Sequence, residues 1–226
     1  MRGESEDVGR FRDRRDAGRR LAAGLDDYAG RPGVIVLGLP RGGIPVGFEV
    51  AQALGAQFDA FLVRKLGVPG HEELAMGAIA SGDTRVLNED VIQALQIDER
   101  SVAEAAAREK RELERRERLY RHGAAPPDVR DRTVILVDDG LATGATMRAA
   151  IAALRDRGPE RIVVAVPIAA PRICAEIERE VDEMLCALTP EPFGSVGTWY
   201  ERFESPTDEE IVELLDRARQ ATEVAG

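Results

Sequence analysis

Aromatic residues are scarce in this chain, with one Trp, three Tyr and six Phe among 226 residues. A sequence that is 44% hydrophobic yet only 4% aromatic must build its core from Val, Ile, Leu and Ala, as parallel sheets covered by helices do. The two His exclude a histidine-rich transition-metal site. Cys174 and Cys186 show neither Cys-x-x-Cys nor zinc spacing, so they read as buried small hydrophobes and no disulfide is expected. No run approaches the roughly 18 apolar residues of a membrane span, and no apolar leader core precedes a cleavage site, which predicts a soluble cytoplasmic protein. The triphosphate-binding Gly-x-x-x-x-Gly-Lys-Ser/Thr loop and the dinucleotide Gly-x-Gly-x-x-Gly fingerprint are both missing. Gly194-Ser195-Val196-Gly197 also lacks the order of a serine nucleophile elbow. Positive charge is in deficit, with 31 Lys and Arg against 41 Asp and Glu for a net −10, which opposes binding to nucleic acid. The local concentration at Arg10, Arg12, Arg14, Arg15, Arg19 and Arg20 is interrupted by Asp13 and Asp16 and reads as a solvated helix face.

What is present alternates. Residues 8–28 form an expected helix that Gly30, Pro32 and Gly33 end. A buried strand at 33–39, a helix at 43–54 and a strand at 58–66 make a first β-α-β unit. Residues 67–82 carry Gly67, Pro69, Gly70, Gly77 and Gly82, too many breakers for a rigid element, and suggest a flexible lid loop or loose hairpin. A long charged helix at 98–121 has Val102, Ala106, Leu113 and Tyr120 near one face, suited to packing on the body or on a second copy in a homodimer. A strand at 133–137, a helix at 144–157, a strand at 161–166, a helix at 171–179 and a strand at 181–187 continue the pattern. The expected fold is therefore α/β, a parallel sheet flanked by helices in a single domain over 1–226. From residue 188 the character changes: Phe193, Trp199, Tyr200 and Phe203 gather before a last helix at 208–219.

One stretch carries chemistry. The apolar run Val134, Ile135, Leu136, Val137 delivers Asp138 and Asp139 to a strand's carboxyl end, where ligands bind in open α/β sheets. Ala142, Thr143, Gly144, Ala145 and Thr146 then supply small side chains, hydroxyls and a row of backbone N–H groups at a helix N-terminus, which suits a phosphate dianion. Paired acids beside such a cradle can accept hydrogen bonds from vicinal sugar hydroxyls and favour cationic character in the ring. A capped turn is the plainer alternative. Pro40, Arg41, Gly42 and Gly43 follow the first strand, and their amides and guanidinium could wrap a diphosphate. Arg64 and Lys65 end the second strand, where their cations could meet an anion or be a solvated strand end. His71 is a candidate for proton transfer or an exposed loop histidine.

The run from Val134 to Thr146 resembles the motif that binds 5-phosphoribosyl 1-pyrophosphate (PRPP) in type I phosphoribosyltransferases. The resemblance implies that Asp138 and Asp139 hold ribose, that residues 142–146 bind the 5-phosphate, and that Arg41, Gly42 and Gly43 with Arg64 and Lys65 meet the pyrophosphate. A cis peptide at Arg41-Gly42 is expected by likeness to that loop. Residues 67–82 correspond to the family's catalytic loop, and 188–226 to a hood in which Trp199 or Tyr200 could stack on a base. The implied activity is phosphoribosyl transfer from PRPP to a nitrogenous base, with Mg²⁺ bound through substrate oxygens and waters. The alternative is a PRPP- or nucleotide-sensing regulator that uses the same pocket without turnover.

Overall fold

The apolar strand runs that carry no polar interruption pair with one another in parallel, because both their faces can be buried. In the computed structural model, which describes residues 9–82 and 84–225, the first half of the chain forms α1 (Arg14–Ala22), β1 (Val34–Gly38), α2 (Gly43–Leu54), β2 (Gln57–Ala60), β3 (Val63–Val68), β4 (His71–Ala80), β5 (Thr84–Leu87), α3 (Glu89–Ala94) and α4 (Glu99–Arg121). The second half forms β6 (Thr133–Val137), α5 (Ala145–Arg155), β7 (Arg161–Ile168), α6 (Pro171–Glu178), β8 (Glu183–Leu188) and α7 (Asp208–Ala225). The predicted start of the first helix at Val8 lies outside the described residues.

A five-stranded parallel sheet in the order β2-β1-β6-β7-β8 forms the centre. The strand period of two divides its side chains. Val34, Val36, Ile135, Val137, Val163 and Ala165 join a core with α1, α2, α4 and α7. Ile35, Leu37, Val134, Leu136, Ile162 and Val164 join another with α5 and Ile177 of α6. Helices therefore cover both faces, as expected. Among the described residues no helix is long and apolar enough to cross a membrane.

Four expectations are corrected or narrowed by the structure. The predicted strand at 58–66 is two strands in different sheets: β2 ends the parallel sheet, and β3 opens an antiparallel sheet ordered β3-β4-β5. Phe61 and Leu62 between them are buried, so hydrophobicity gave no sign that the chain changes partners there. Of the lid loop or loose hairpin expected at 67–82, the hairpin forms, and its second strand, β4, runs for 10 residues. Two of its glycines serve the turn and the pairing. Gly70 turns the chain at φ 78, and a Cβ at Gly77 would meet the Val86 carbonyl at 2.4 Å. Cys174 and Cys186 are half-buried and joined as a disulfide between α6 and β8; helix and strand were foreseen, but not that they bring the two sulfurs together. The last helix extends to Ala225.

The long helix α4 begins at Asp98, whose carboxylate accepts the Ser101 amide at 2.8 Å. Its buried Val102, Ala105, Leu113 and Tyr120 lie in the chain's own core, so the apolar stripe is satisfied by the body. The opposite face keeps its charges. The aromatic tail also packs inward: Tyr200 lies against Phe11 and Phe203, with centroids 5.4 and 4.8 Å away, in a small cluster with Ala17 and Ile168.

Candidate functional site

Because β1 and β6 are neighbours with Gly38 opposite Val137, the loops that leave them meet at one edge of the sheet. The contact is intimate. A Cβ on Gly42 would fall 1.9 Å from Asp139 Oδ2, and one on Gly43 would fall 2.5 Å from the Val137 carbonyl. Only glycine fits either position. The Leu39 amide donates to the Val137 carbonyl at 2.9 Å and the Gly43 amide to the Leu39 carbonyl at 2.9 Å. The cis peptide of this loop is Pro40-Arg41, one bond earlier than expected.

The two acids differ. Asp138 accepts the Asp139 amide at 2.9 Å, and burial, reinforced by the Asp139 charge, raises its pKa well above the ordinary carboxylate range. Asp139 lines a cleft of about 950 Å³. Burial raises its pKa too, opposed by the Arg14 guanidinium, whose Nε donates to Oδ2 at 2.7 Å. The pair therefore resists holding two charges, and Arg14 favours placing the one it holds on Asp139.

Arg14 is the residue that sequence reading missed. It was visible as one member of an arginine-rich helix assigned to solvent, but its side chain is only 10% exposed. Its guanidinium lies over Phe203 at 3.9 Å and donates to the Glu204 carbonyl at 2.7 Å. Asp13 starts the helix by accepting the Asp16 amide at 2.9 Å, which aims position 14 inward. The partner lies 125 residues away, so no local pattern could single it out. Tyr200 adds a second support, donating its hydroxyl to the Asp139 carbonyl at 2.7 Å. With its ring enclosed by Phe11 and Phe203, Tyr200 offers no face for stacking, which corrects the reading of it as a base platform. Trp199 is half-buried and donates its indole N–H to the Phe193 carbonyl at 2.8 Å.

The loop after the acids is held from outside. The Leu141 amide donates to the Ile168 carbonyl at 2.9 Å and the Ala170 amide to the Leu141 carbonyl at 3.0 Å. Arg148 donates to the Thr143 carbonyl at 3.1 Å while pairing with Glu176 and Glu180. Gly144 takes φ 71 and starts α5, leaving the first-turn amides without helical acceptors. Ala142, Thr143 and Thr146 are exposed, Ala145 is half-buried and Gly144 is buried. Thr146 lines the cleft with Asp139.

The facing wall comes from β3 and α4. Arg64, Lys65 and Gly67 line it together with Arg108, Glu109 and Arg116. Arg64 and Lys65 thus reach the acid pair's cleft as expected, but from the antiparallel sheet. Arg64 donates to Glu109 Oε2 through Nη2 at 2.7 Å. Arg41 lines the cleft and reaches Asp208 at 3.4 Å. His71 is exposed at the start of β4 and does not line the cleft. The α4 arginines had been read only as part of a charged helix, and the eight-residue spacing of Arg108 and Arg116 signals a shared face only once the helix is docked.

This chain is similar to a protein from Mycobacterium tuberculosis strain H37Rv, provisionally named a phosphoribosyl transferase, at 44% identity over 216 residues, 96% of this chain and 48% of that one. The chain thus spans about half the length of the curated relatives it matches. A crystal structure of a protein from Thermus thermophilus is 41% identical and superposes with a TM-score of 0.84, covering 91% of this chain and 97% of the other. A shorter likeness, 44% over 57 residues, 25% of this chain and 27% of the other, links it to a uracil phosphoribosyltransferase of Nocardioides. The model of the phosphoribosyl transferase domain matches residues 6–197, a span holding Arg14, the Pro40–Gly43 loop, the acid pair, residues 142–146 and the β3 and α4 residues that line the cleft, and the chain belongs to that family.

Proposed function

We propose that the chain transfers the 5-phosphoribosyl group of PRPP to a nitrogen of a base or related heterocycle, releasing pyrophosphate. The observation that carries this reading is the meeting of three groups at one sheet edge: a phosphate loop ending in Thr146, a carboxylate at Asp139, and a glycine loop with Arg41 packed against that carboxylate. The 5-phosphate would sit on the amides of residues 142–146 at the α5 N-terminus. The ribose hydroxyls would donate to the acid pair, with Asp139 Oδ1 as the acceptor that Arg14 leaves open. The diphosphate would lie on the residues 41–43 loop toward Arg64 and Lys65. The short match to a uracil phosphoribosyltransferase agrees with a heterocyclic acceptor.

In the reaction the acceptor nitrogen forms a bond to C1 of the ribose as the C1–O bond to pyrophosphate breaks. The electron pair leaves with pyrophosphate, and the acceptor's N–H proton passes to solvent or to the departing group. Asp139 favours the positive charge that develops on the ring. At roughly 4 Å and an effective dielectric near 20 this is worth at most about 4 kcal/mol. Part of that is already present in the ground state.

Among the described residues no group of three or more His, Cys, Asp or Glu side chains could hold a metal ion. Magnesium in this reading accompanies PRPP, bound by substrate oxygens and water, and supplies charge neutralisation on the diphosphate. The test is pyrophosphate release from PRPP and Mg²⁺ with a panel of heterocycles. Saturable PRPP binding by calorimetry, with no turnover on any acceptor, would replace transfer with the sensing role.

A further inference from the structure

Among the described residues the cleft's far wall carries more guanidinium than carboxylate charge, in a chain whose net charge is −10. Glu109 is shared by two guanidiniums, Arg64 at 2.7 Å and Arg108 at 3.3 Å. One turn on, Glu112 is shared by Arg115 and Arg116, both at 2.9 Å. Hydrogen bonding from Arg115 first, with Arg116 adding to it, draws the Glu112 pKa down to about 2, so that acid stays fully charged and is already spoken for. Among the described residues one guanidinium charge is left over at each place. Arg108 and Arg116 stand about 12 Å apart along the helix axis at 1.5 Å per residue, a longer stretch than a single diphosphate covers.

The same wall offers no platform for a flat neutral ring. The one aromatic that lines the cleft is Phe203, and the Arg14 guanidinium lies over it at 3.9 Å. Base recognition by stacking needs an open aromatic face. Recognition by an arginine fork needs a carboxylate or phosphate.

We infer that the acceptor is an anionic heterocycle, one bearing a carboxylate or phosphate, and that Arg108 and Arg116 of α4 select it. This rests on the transferase reading above and names the substrate class that reading leaves open. Arg64 and Lys65, on β3, remain with the donor's diphosphate. The α4 arginines act on the acceptor, so their removal separates acceptor affinity from donor affinity.

The experiment uses matched pairs that differ in one carboxylate: orotate against uracil, nicotinate against nicotinamide, and imidazole-4-carboxylate against imidazole. Each is offered to the intact chain with PRPP and Mg²⁺, and both pyrophosphate release and calorimetric binding to the PRPP-loaded protein are followed. The carboxylated member of at least one pair is expected to bind or react at least about tenfold better. Arg108→Gln and Arg116→Gln should each raise its KM, or its Kd where there is no turnover, by about fivefold, and PRPP affinity should change less than twofold. Arg108 is exposed and Arg116 half-buried, so the folded state is retained, and circular dichroism checks it. No preference for the carboxylated member in any pair overturns the inference, and so does a loss confined to PRPP affinity in the two variants, which would assign α4 to the diphosphate. Absence of PRPP binding by the unmodified chain would instead remove the transferase reading itself.

Discussion

The two walls of the cleft are built on different principles. The wall at the sheet edge is backbone against backbone: glycines that admit no Cβ, amides bonded across β1 and β6, and a carboxylate held on one side by a guanidinium and at its own carbonyl by a tyrosine. The wall from β3 and α4 is long side chains on a helix whose apolar face is already used, with charges that pair within one turn of α4 or, at Arg64 and Glu109, across from β3. A wall of the first kind leaves little room for added atoms, because Gly42 and Gly43 already abut the Asp139 carboxylate and the Val137 carbonyl. A wall of the second kind can exchange one side chain at little cost to stability, since exposed ion pairs are worth about 1 kcal/mol or less. On the proposed reading the chemistry belongs to the first wall and selectivity to the second, and substitutions should divide the same way.

Removing the charge from Asp139 should have the largest effect. Asp139→Asn is expected to lower kcat by about a hundredfold, on the scale of losing one charge or donor aimed at the transition state. Steady-state pyrophosphate release would measure it, with the thermal midpoint falling modestly, since the largely buried Arg14 guanidinium loses its charged partner. A loss below threefold would place the essential charge elsewhere.

Arg14→Gln is expected next, lowering kcat/KM by about tenfold. Its clearer signature is the pH profile. Arg14 lowers the Asp139 pKa, so its loss lets that pKa rise, and the acid limb of kcat/KM must move to higher pH. A positional role alone would reduce the rate without moving the limb. Gly42→Ala places a methyl where Asp139 Oδ2 now lies and should push the carboxylate away from Arg14, costing about tenfold in kcat/KM and about 2 kcal/mol in stability. Because Arg14→Gln and Gly42→Ala disturb one contact, the double variant should lose much less than the product of the two. Full additivity would show that they act separately.

The same division explains what the sequence made legible. The first wall could be read because its parts are contiguous: an apolar strand, two acids and a small-residue loop occupy residues 134–146, and strand alternation placed them at a sheet edge. The helix at 43–54 was read to its ends because Gly43 and Gly55 mark them. Arg14 was not legible because mixed charges on a short helix look the same whether one of them turns inward or not. The segment at 67–82 stayed open between a lid loop and a loose hairpin because glycine has two uses, loosening a chain and permitting close approach. The 2.4 Å that Gly77 would leave to the Val86 carbonyl belongs to the second, which only the pairing partner reveals. The α4 face had every residue visible and no clue to what it faced.

The smallest effect is also the one with the most informative sign. Glu109 sits between Arg64 and Arg108 on the second wall, with its side chain 15% exposed. If it served only to hold those guanidiniums, Glu109→Gln would weaken the wall and raise the KM of every substrate. If the wall works through its excess positive charge, removing this carboxylate strengthens it. On that account Glu109→Gln should lower the KM of a carboxylated acceptor by about threefold, the size of one partly screened charge. The KM of its neutral partner should stay the same, and the gain should shrink as salt rises to several tenths molar, where the Debye length falls to a few Å. Steady-state kinetics on one matched pair at two ionic strengths decides the matter, because a holding role predicts a loss that salt does not cancel and a charge role predicts a gain that it does.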